Sequence, residues 1–196
     1  ALGLPTTCLN FDLSNACLGF VNAMHLAGVM IDSGQIDYAL IVDGEGTNQV
    51  YDNTINYLNE HGTGIEDIFA NFATLTLGSG AAAMVLGRHS TNPGSHQMMK
   101  GFFRAATQHH ELCVGALEGM TTDTKALLDA GTELAKLAWD DAGAGESWGG
   151  RDRYILHQIS EVHTNAMLDV LNLEAETVPK TFPFYGNIGP AAIPIT

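Results

Sequence analysis

The chain has 196 residues, 45% of them hydrophobic, so it can bury a substantial core as one domain or a large part of one. Its formal net charge of −14 argues against general nucleic-acid binding, which requires a basic face. Its three cysteines have no regular spacing and predict no disulfide framework, so we expect a reducing, cytoplasmic compartment. No apolar run reaches membrane-spanning length, and no signal peptide is evident.

The first part of the chain predicts a strand that leads into a helix. Residues 8–13 alternate apolar and polar side chains, which is the period of a strand. Residues 18–31 are apolar on most sides, so we expect a helix buried between two layers that ends at Ser33–Gly34. The apolar run at 37–42 predicts a central strand covered on both faces.

The rest of the chain alternates predicted helices and strands. We expect a long loop with a short helix at 44–64, a tight turn at 78–80 entering a strand, a turn-rich connector at 89–97, a strand at 100–107, an amphipathic helix at 122–141, a glycine-rich loop at 143–150, a strand at 154–156, a helix at 162–171 and a loop at 182–190. Strands alternating with helices predict a layered α/β fold.

Cys17 lies where the first predicted strand turns into a helix. The unpaired amide groups and the dipole at a helix N-terminus favour a thiolate over a thiol. Cys17 is therefore a candidate nucleophile, and the alternative is a small buried residue that fills a gap.

His157 is the histidine best placed for proton transfer, because it ends an apolar strand where α/β sheets place functional groups. We expect His61, His89 and His96 to be solvated and His25 to lie in a core or an interface. His163, on the following helix, either supports the site or is structural.

Asn187 is flanked by glycines that let the backbone approach closely, although a plain turn asparagine explains it equally well. Asp43 and Glu45 could offer a carboxylate base, or they simply form the turn at the end of a strand.

Two further patterns predict no site. Residues 109–113 (HHELC) resemble a metal cluster, but adjacent histidines point apart and no second ligand pair follows, so we expect no metal. The Gly78–Gly80 turn lacks the lysine and the spacing of a phosphate-binding loop.

Four ordered motifs resemble the thiolase superfamily and, within it, the β-ketoacyl synthase III-like condensing enzymes. Residues 15–20 (NACLGF) are similar to the nucleophile motif of that family, and 77–86 (LGSGAAAMVL) to its Gly/Ala-rich strand entry. His157-Gln158 and Gly186-Asn187 are similar to its histidine and asparagine motifs. A finer likeness, to the olefin-pathway synthases that join two long acyl-CoA chains head to head, is found in residues 37–45, 157–164 and 186–191.

The resemblance implies a thiolase-like layered αβαβα fold that is incomplete at both ends. Residues 1–110 would form the C-terminal part of the N-terminal half, and 111–196 the N-terminal part of the C-terminal half. The chain starts without an initiator methionine and stops where a helix is predicted to begin, so we expect a fragment. The glycine-rich loop that completes the family's oxyanion hole and the glutamate base of the olefin-pathway enzymes lie outside the match, so we expect the fragment to be poorly active or inactive.

The resemblance also implies a mechanism. Cys17 would take an acyl group from acyl-CoA or from an acyl carrier protein, with the Cys17 amide contributing to the oxyanion hole. A second thioester would then attack as a carbanion in a Claisen condensation, its enolate charge stabilised by His157 and Asn187. We expect no cofactor beyond these substrates, and a homodimer that pairs through the strand at residues 9–13.

Three alternatives remain open at this point. The first keeps the fold but uses decarboxylative condensation with a malonyl thioester. The second is a cysteine-dependent thioester hydrolase in which Cys17, His157 and Asn187 form a papain-like triad. The third is a catalytically incomplete remnant or an interaction module.

Overall fold

The computed structural model describes residues 2–61, 64–116, 119–143 and 148–196. Its strands are β1 (Tyr38–Glu45), β2 (Gly80–Gly87), β3 (Cys113–Ala116) and β4 (Gly119–Thr122). Its helices are α1 (Gly19–Asp32), α2 (Asn48–Glu60), α3 (Ile65–Leu75), α4 (Thr124–Gly143), α5 (Glu161–Leu171), α6 (Phe182–Tyr185) and α7 (Ala192–Ile195). None of these described helices is both long and apolar enough to cross a membrane.

The main sheet of the described residues is an antiparallel pair, in which β1 and β2 are matched from Tyr38 opposite Gly87 to Glu45 opposite Gly80. Because side chains alternate along a strand, Ile41, Asp43 and Glu45 share one face of β1. Helix α1 packs against the sheet through Phe20 and Ala27, which form a buried cluster with Ile41. This cluster fixes the helix that begins next to Cys17.

Helix α1 and strand β1 are less buried than their sequences predict. Phe20, Ala27 and Ile31 are buried, but Val29 on the same helix is 51% exposed. On β1 only Ile41 is buried, and Val42 is 66% exposed. The expectation of layers on both sides is wrong for the described residues, because the sheet and α1 cover each other on one face only.

The predicted long loop at 44–64 is also wrong for most of its length. It contains α2, thirteen residues long, which packs against α3. The hairpin β3–β4 packs on both helices, and Thr74 Oγ1 of α3 donates a hydrogen bond to Met120 O. Tertiary packing stabilises a helix whose polar sequence predicts a loop.

Three predicted strands do not form. Residues 8–13, 100–107 and 154–156 have no ladder of backbone hydrogen bonds with another described segment. A strand requires such a partner, whereas the backbone N–H of Tyr154 makes a single bond, to Thr177 O. The alternation of side chains is present in residues 8–13, but nothing in the described chain pairs with it.

The helices and turns predicted around the later motifs are confirmed. Helices α4 and α5 form as expected and pack against each other, and Gly34 adopts a φ of +73° just after α1. The Gly78–Gly80 turn leads into β2. Of the predicted glycine-rich loop at 143–150, residues 144–147 lie outside the described residues.

Candidate active site

One loop links the segments that carry the predicted site residues. We define the Asn187 loop as residues 181–196, which include α6, the turn Gly189–Ala191 and α7. Its ends are joined because Thr181 Oγ1 and Thr196 Oγ1 lie 2.7 Å apart and share a hydrogen bond. Ile188, Ala191 and Ala192 form a buried apolar cluster within it. Asn187 is therefore mounted on a packed support.

The backbone of Asn187 is paired with the turn before β2. Its N–H donates to Thr76 O at 2.9 Å, and its carbonyl oxygen accepts from the Gly78 N–H at 2.8 Å. The preceding Gly186 has a φ of +69°, and a Cβ there would lie 2.8 Å from Thr76 O. The close backbone approach predicted from the glycines is thus confirmed.

The side chain of Asn187 is oriented by its own turn. It is 9% exposed, and its Oδ1 accepts a hydrogen bond from the Gly189 N–H at 3.1 Å. Because the oxygen is engaged in this bond, the amide nitrogen is the end available to donate. An amide fixed in this way can donate a hydrogen bond to a carbonyl oxygen of a ligand.

Cys17 lies in the short 3₁₀ turn Ala16–Leu18, which runs directly into α1. The predicted position at the start of a helix is therefore confirmed. The preceding Ala16 has a φ of +42°, a left-handed conformation that is strained for a residue with a Cβ. This turn packs against the Gly189–Ala191 turn of the Asn187 loop.

The expected activation of the Cys17 thiol is not found. Burial raises the pKa of Cys17 above its ordinary value, and the nearby Cys113 raises it further. Its backbone hydrogen bond lowers the pKa, and Glu45 again raises it. Desolvation and neighbouring negative charge thus outweigh the backbone hydrogen bond, so the resting group is a thiol.

His157 is held in place by the buried residue that follows it. Gln158 is 1% exposed, and its Nε2 donates to Pro179 O at 2.8 Å. Its Oε1 accepts from the N–H groups of Thr181, at 2.7 Å, and Phe182, at 3.2 Å. Gln158 thereby fastens the His157 segment to the first residues of the Asn187 loop.

The imidazole of His157 is buried and uncharged. Both ring nitrogens are shielded from solvent and make no hydrogen bond within the described residues. Burial lowers the pKa of His157 to about 4, and the nearby His163 contributes to the decrease. A neutral imidazole has one N–H donor and one acceptor nitrogen, which suits it to bind a carbonyl or to move a proton.

His163 lies beside this ring. The two ring centroids are 6.5 Å apart at an interplanar angle of 70°, and His163 Nδ1 is buried without a described partner. Ser160 begins α5 by accepting a hydrogen bond from the His163 N–H, so the end of the helix sets the position of His163. Burial also lowers the pKa of His163.

The three predicted residues are therefore linked to the same loop. Cys17 reaches it through the packing of its turn on Gly189–Ala191, and His157 through the hydrogen bonds of Gln158. Asn187 belongs to it. That the sulfur, the imidazole and the amide face one substrate stays a prediction.

Sequence reasoning missed two neighbours of the site. Gln158 was assigned no anchoring role, and Glu45 was considered only as a base or a turn residue. Both have a signal in the sequence: Gln158 is a polar residue beside an apolar stretch, and Glu45 falls on the Ile41 face of an alternating strand.

The histidines of residues 109–113, for which the sequence predicts no metal site, are exposed. Within the described part of the chain, no three histidine, cysteine or acidic side chains are grouped so as to hold a metal ion. His110 Nε2 instead lies 3.8 Å from Glu111 Oε1. A cavity of about 400 Å³ lies between α4, α5 and residues 149–154, and none of the three predicted site residues lines it.

Comparison with known families and proteins gives matches over the whole chain. Residues 11–106 match the model of 3-oxoacyl-acyl-carrier-protein (ACP) synthase III. An acyl-CoA:acyl-CoA alkyltransferase from Xanthomonas campestris is 40% identical over 99% of this chain and 58% of its own length. A β-ketoacyl-acyl-carrier-protein synthase III from Sodalis glossinidius is 28% identical over 96% of this chain and 57% of its own.

Solved structures from the same group of enzymes also match this chain. A cysteine-to-serine variant of Xanthomonas campestris OleA, crystallised with lauric acid and lauroyl-CoA, matches with a TM-score of 0.93 at 39% identity. The match covers 99% of this chain and 58% of that one. The chain thus spans less than two thirds of the length of these relatives.

Proposed function

We propose that this chain, which belongs to the β-ketoacyl synthase III-like condensing enzymes of the thiolase superfamily, provides the acyl-accepting cysteine of a Claisen condensation between two acyl thioesters. The superfamily membership predicted from the four motifs is confirmed. The activity, the substrates and the partners are our proposal, because the relatives are considerably longer.

The observation that carries the proposal is the anchoring of two neutral hydrogen-bonding groups to the loop on which the Cys17 turn packs. The amide of Asn187 has its oxygen engaged by the Gly189 N–H, and the His157 imidazole is uncharged. Neutral donors of this kind stabilise an enolate as charge develops on the oxygen of a thioester. Neither ring nitrogen of His157 hydrogen-bonds Cys17, so a direct hydrolytic triad has no support, and the relatives do not favour it.

In the proposed reaction the Cys17 sulfur attacks the carbonyl carbon of the first thioester and loses its proton. The leaving thiol departs and an acyl-cysteine remains. The α-carbon of the second thioester then loses a proton and attacks the acyl-cysteine carbonyl. A carbon–carbon bond forms, the bond between the acyl group and sulfur breaks, and the Cys17 sulfur leaves as a thiolate that takes up one proton, which balances the proton lost from the α-carbon. His157 and Asn187 hydrogen-bond the carbonyl oxygen of the second thioester while it carries enolate charge.

The finer proposals concern substrates and setting. We propose acyl-CoA, with acyl carrier protein as the other possible carrier, in a cytoplasmic homodimer that acts in fatty acid, lipid or olefin biosynthesis. The name of the Xanthomonas campestris relative supports acyl-CoA on both sides of the reaction. Decarboxylative use of a malonyl donor is the closest rival, and the name of the Sodalis glossinidius relative, a β-ketoacyl-acyl-carrier-protein synthase III, supports acyl carrier protein as a carrier.

The decisive experiment is the acylation of Cys17. We expect lauroyl-CoA to add one acyl group to the chain in intact-mass spectra, and Cys17→Ser to abolish the addition. The matched control is Cys8→Ser with Cys113→Ser, which removes both exposed thiols and should keep the adduct. Release of lauric acid without a persistent adduct would support the hydrolase, and absence of any reaction would support the remnant.

A second assay separates the two condensations. Acyl-CoA is supplied with and without a malonyl thioester, and β-ketoacyl products are measured beside the Xanthomonas campestris relative as a positive control. Product without malonate supports head-to-head joining. Product only with malonate would contradict it.

A further inference from the structure

Two carboxyl groups lie side by side at the end of β1. Asp43 and Glu45 are two residues apart, so they share the face of the strand on which Ile41 is buried. Asp43 Oδ2 is shielded from solvent and accepts no hydrogen bond from a described donor. Two acidic groups in such a place act on each other and on the titratable groups near them.

The Glu45 carboxyl is seated against the turn that orients Asn187. A Cβ on Gly189 would lie 3.3 Å from Glu45 Cδ and 3.5 Å from Glu45 Oε2. Gly189 also has a φ of +56°, so both its conformation and its neighbour require glycine. The N–H of this same glycine holds the oxygen of the Asn187 amide.

The same turn is the surface on which the nucleophile is packed. Gly189–Ala191 contacts the Ala16–Leu18 turn on one side and β1 on another. Glu45 thus lies across one turn of backbone from the Cys17 segment. The groups that act on the charge of the Cys17 sulfur are Cys113, on β3, and Glu45, on β1.

We propose that Glu45, paired with Asp43, is a positioning residue that restrains Cys17 as a thiol in the resting protein through the Gly189 turn on which both segments pack. A nearby negative charge disfavours a thiolate, and a thiol is a poor nucleophile. Burial raises the pKa of Glu45, and Asp43 raises it further by its charge and by a hydrogen bond, so the two side chains interact directly. The role assigned to Cys17 rests on the proposed function.

The test is the pH dependence of Cys17 alkylation by iodoacetamide, followed on the Cys17 peptide by mass spectrometry. The midpoint of this profile is the pH at which the alkylation rate is half of its maximum. In Glu45→Gln it should fall by about half a pH unit or more, which is about a threefold or greater gain in rate at pH values below the midpoint. Glu45→Asp, which keeps the charge, should restore the original profile. The proposal is overturned if the midpoint of Glu45→Gln equals that of the unaltered chain.

Two further variants separate this effect from general ones. Glu133→Gln removes the same charge from an exposed position on α4 and should leave the midpoint unchanged. Asp43→Asn should lower the midpoint less than Glu45→Gln does, because Asp43 is not among the charges that act on the Cys17 sulfur; an equal decrease would refute the role of Glu45. Circular dichroism of each variant identifies loss of folding, in which case Glu45→Asp carries the test.

Alkylation requires no acyl thioester, so the two proposals fail separately. An unshifted midpoint in Glu45→Gln with normal acylation would remove the role of Glu45 and keep the proposed function. A shifted midpoint without acylation would keep the role of Glu45 and remove the proposed function.

Discussion

His157 and His163 lie side by side where the segment before α5 joins that helix, and burial keeps both rings uncharged. An uncharged ring can donate a hydrogen bond to a thioester carbonyl without first losing a proton. The proposed chemistry therefore depends on the protonation states of individual side chains, which can be measured one residue at a time.

The first prediction concerns the protonation of His157. Its ring should stay neutral down to about pH 4, because burial disfavours the imidazolium. In His163→Gln the midpoint of the His157 titration should rise, since the second ring, which opposes the His157 imidazolium when it is itself protonated, is removed while burial remains. A titration of the ring protons by NMR measures both values. A midpoint for His157 at the ordinary histidine value would contradict the burial that the structure shows.

The second prediction links this protonation to stability. The unfolded chain binds a proton at the ordinary value of 6.5 and the folded chain only at about 4, so the unfolded state holds more protons between these limits. Stability should therefore decrease as the pH falls from 6.5 towards 4, by up to about 3 kcal/mol from this residue. Urea unfolding at several pH values gives the difference in the free energy of unfolding between the unaltered chain and His157→Asn. A difference that does not vary with pH would show that the ring is hydrated.

The sequence predicts the position of Cys17 but not its environment. The motif at residues 15–20 places it at the start of a helix, and the structure agrees. The direction of its pKa shift follows instead from burial, Cys113 and Glu45, which come from distant parts of the sequence or from the fold as a whole. Local sequence describes the helix end, whereas the desolvation that raises the pKa of Cys17 exists only after folding.

The turn that enters β2 is the element on which the Asn187 loop rests. A Cβ on Gly78 would lie 1.7 Å from Tyr185 O and 3.0 Å from Ile188 Cγ2. The contact is with backbone as well as with side chain, so no simple rotation relieves it. The turn and the loop must therefore move apart if any larger residue stands there.

The third prediction follows from this contact. Gly78→Ala should lower the free energy of unfolding by about 1 to 3 kcal/mol, because it overpacks the interface with the loop. Gly131→Ala, on an exposed face of α4 with nothing near its Cβ, should raise it by about 0.5 to 1 kcal/mol. Denaturant unfolding compares the two variants. Equal effects would mean that the loop does not rest on this turn.

Element prediction from sequence succeeds where one stripe of apolar residues faces one neighbour. Helices α4 and α5 have such stripes and were predicted. The length of α2 was underestimated because its buried residue is a threonine, Thr54, and the neighbouring hairpin covers it. Residues 8–13 show the converse, since they have the period of a strand but no described partner to pair with.

At the scale of the whole molecule, the predicted thiolase-like α/β fold is confirmed by the match to OleA at a TM-score of 0.93. The division into two half-folds near residue 110 and the homodimer stay predictions. One face of the main sheet is apolar and exposed, with Leu40 opposite Val85 and Val42 opposite Ala83. An exposed apolar sheet face favours association.

The fourth prediction is that the chain self-associates through this face. Val42→Thr combined with Val85→Thr should reduce association, because threonine keeps the preference for strands and lowers the apolar area. Val162→Thr, a similar change at an exposed position on α5, should have no effect. Light scattering over a range of protein concentrations measures the average mass in solution of the unaltered chain, the double variant and Val162→Thr. Unchanged association in the double variant would assign it to another surface.

The convergence of Cys17, His157 and Asn187 is best tested by NMR of the chain before and after iodoacetamide alkylates Cys17. The Asn187 side-chain amide and the His157 ring should both shift, while the Asn172 amide at the end of α5 should not. If the backbone signals of Ala16–Leu18 move but the signals of His157 and Asn187 stay in place, the three groups do not share a site and the proposed condensation is wrong.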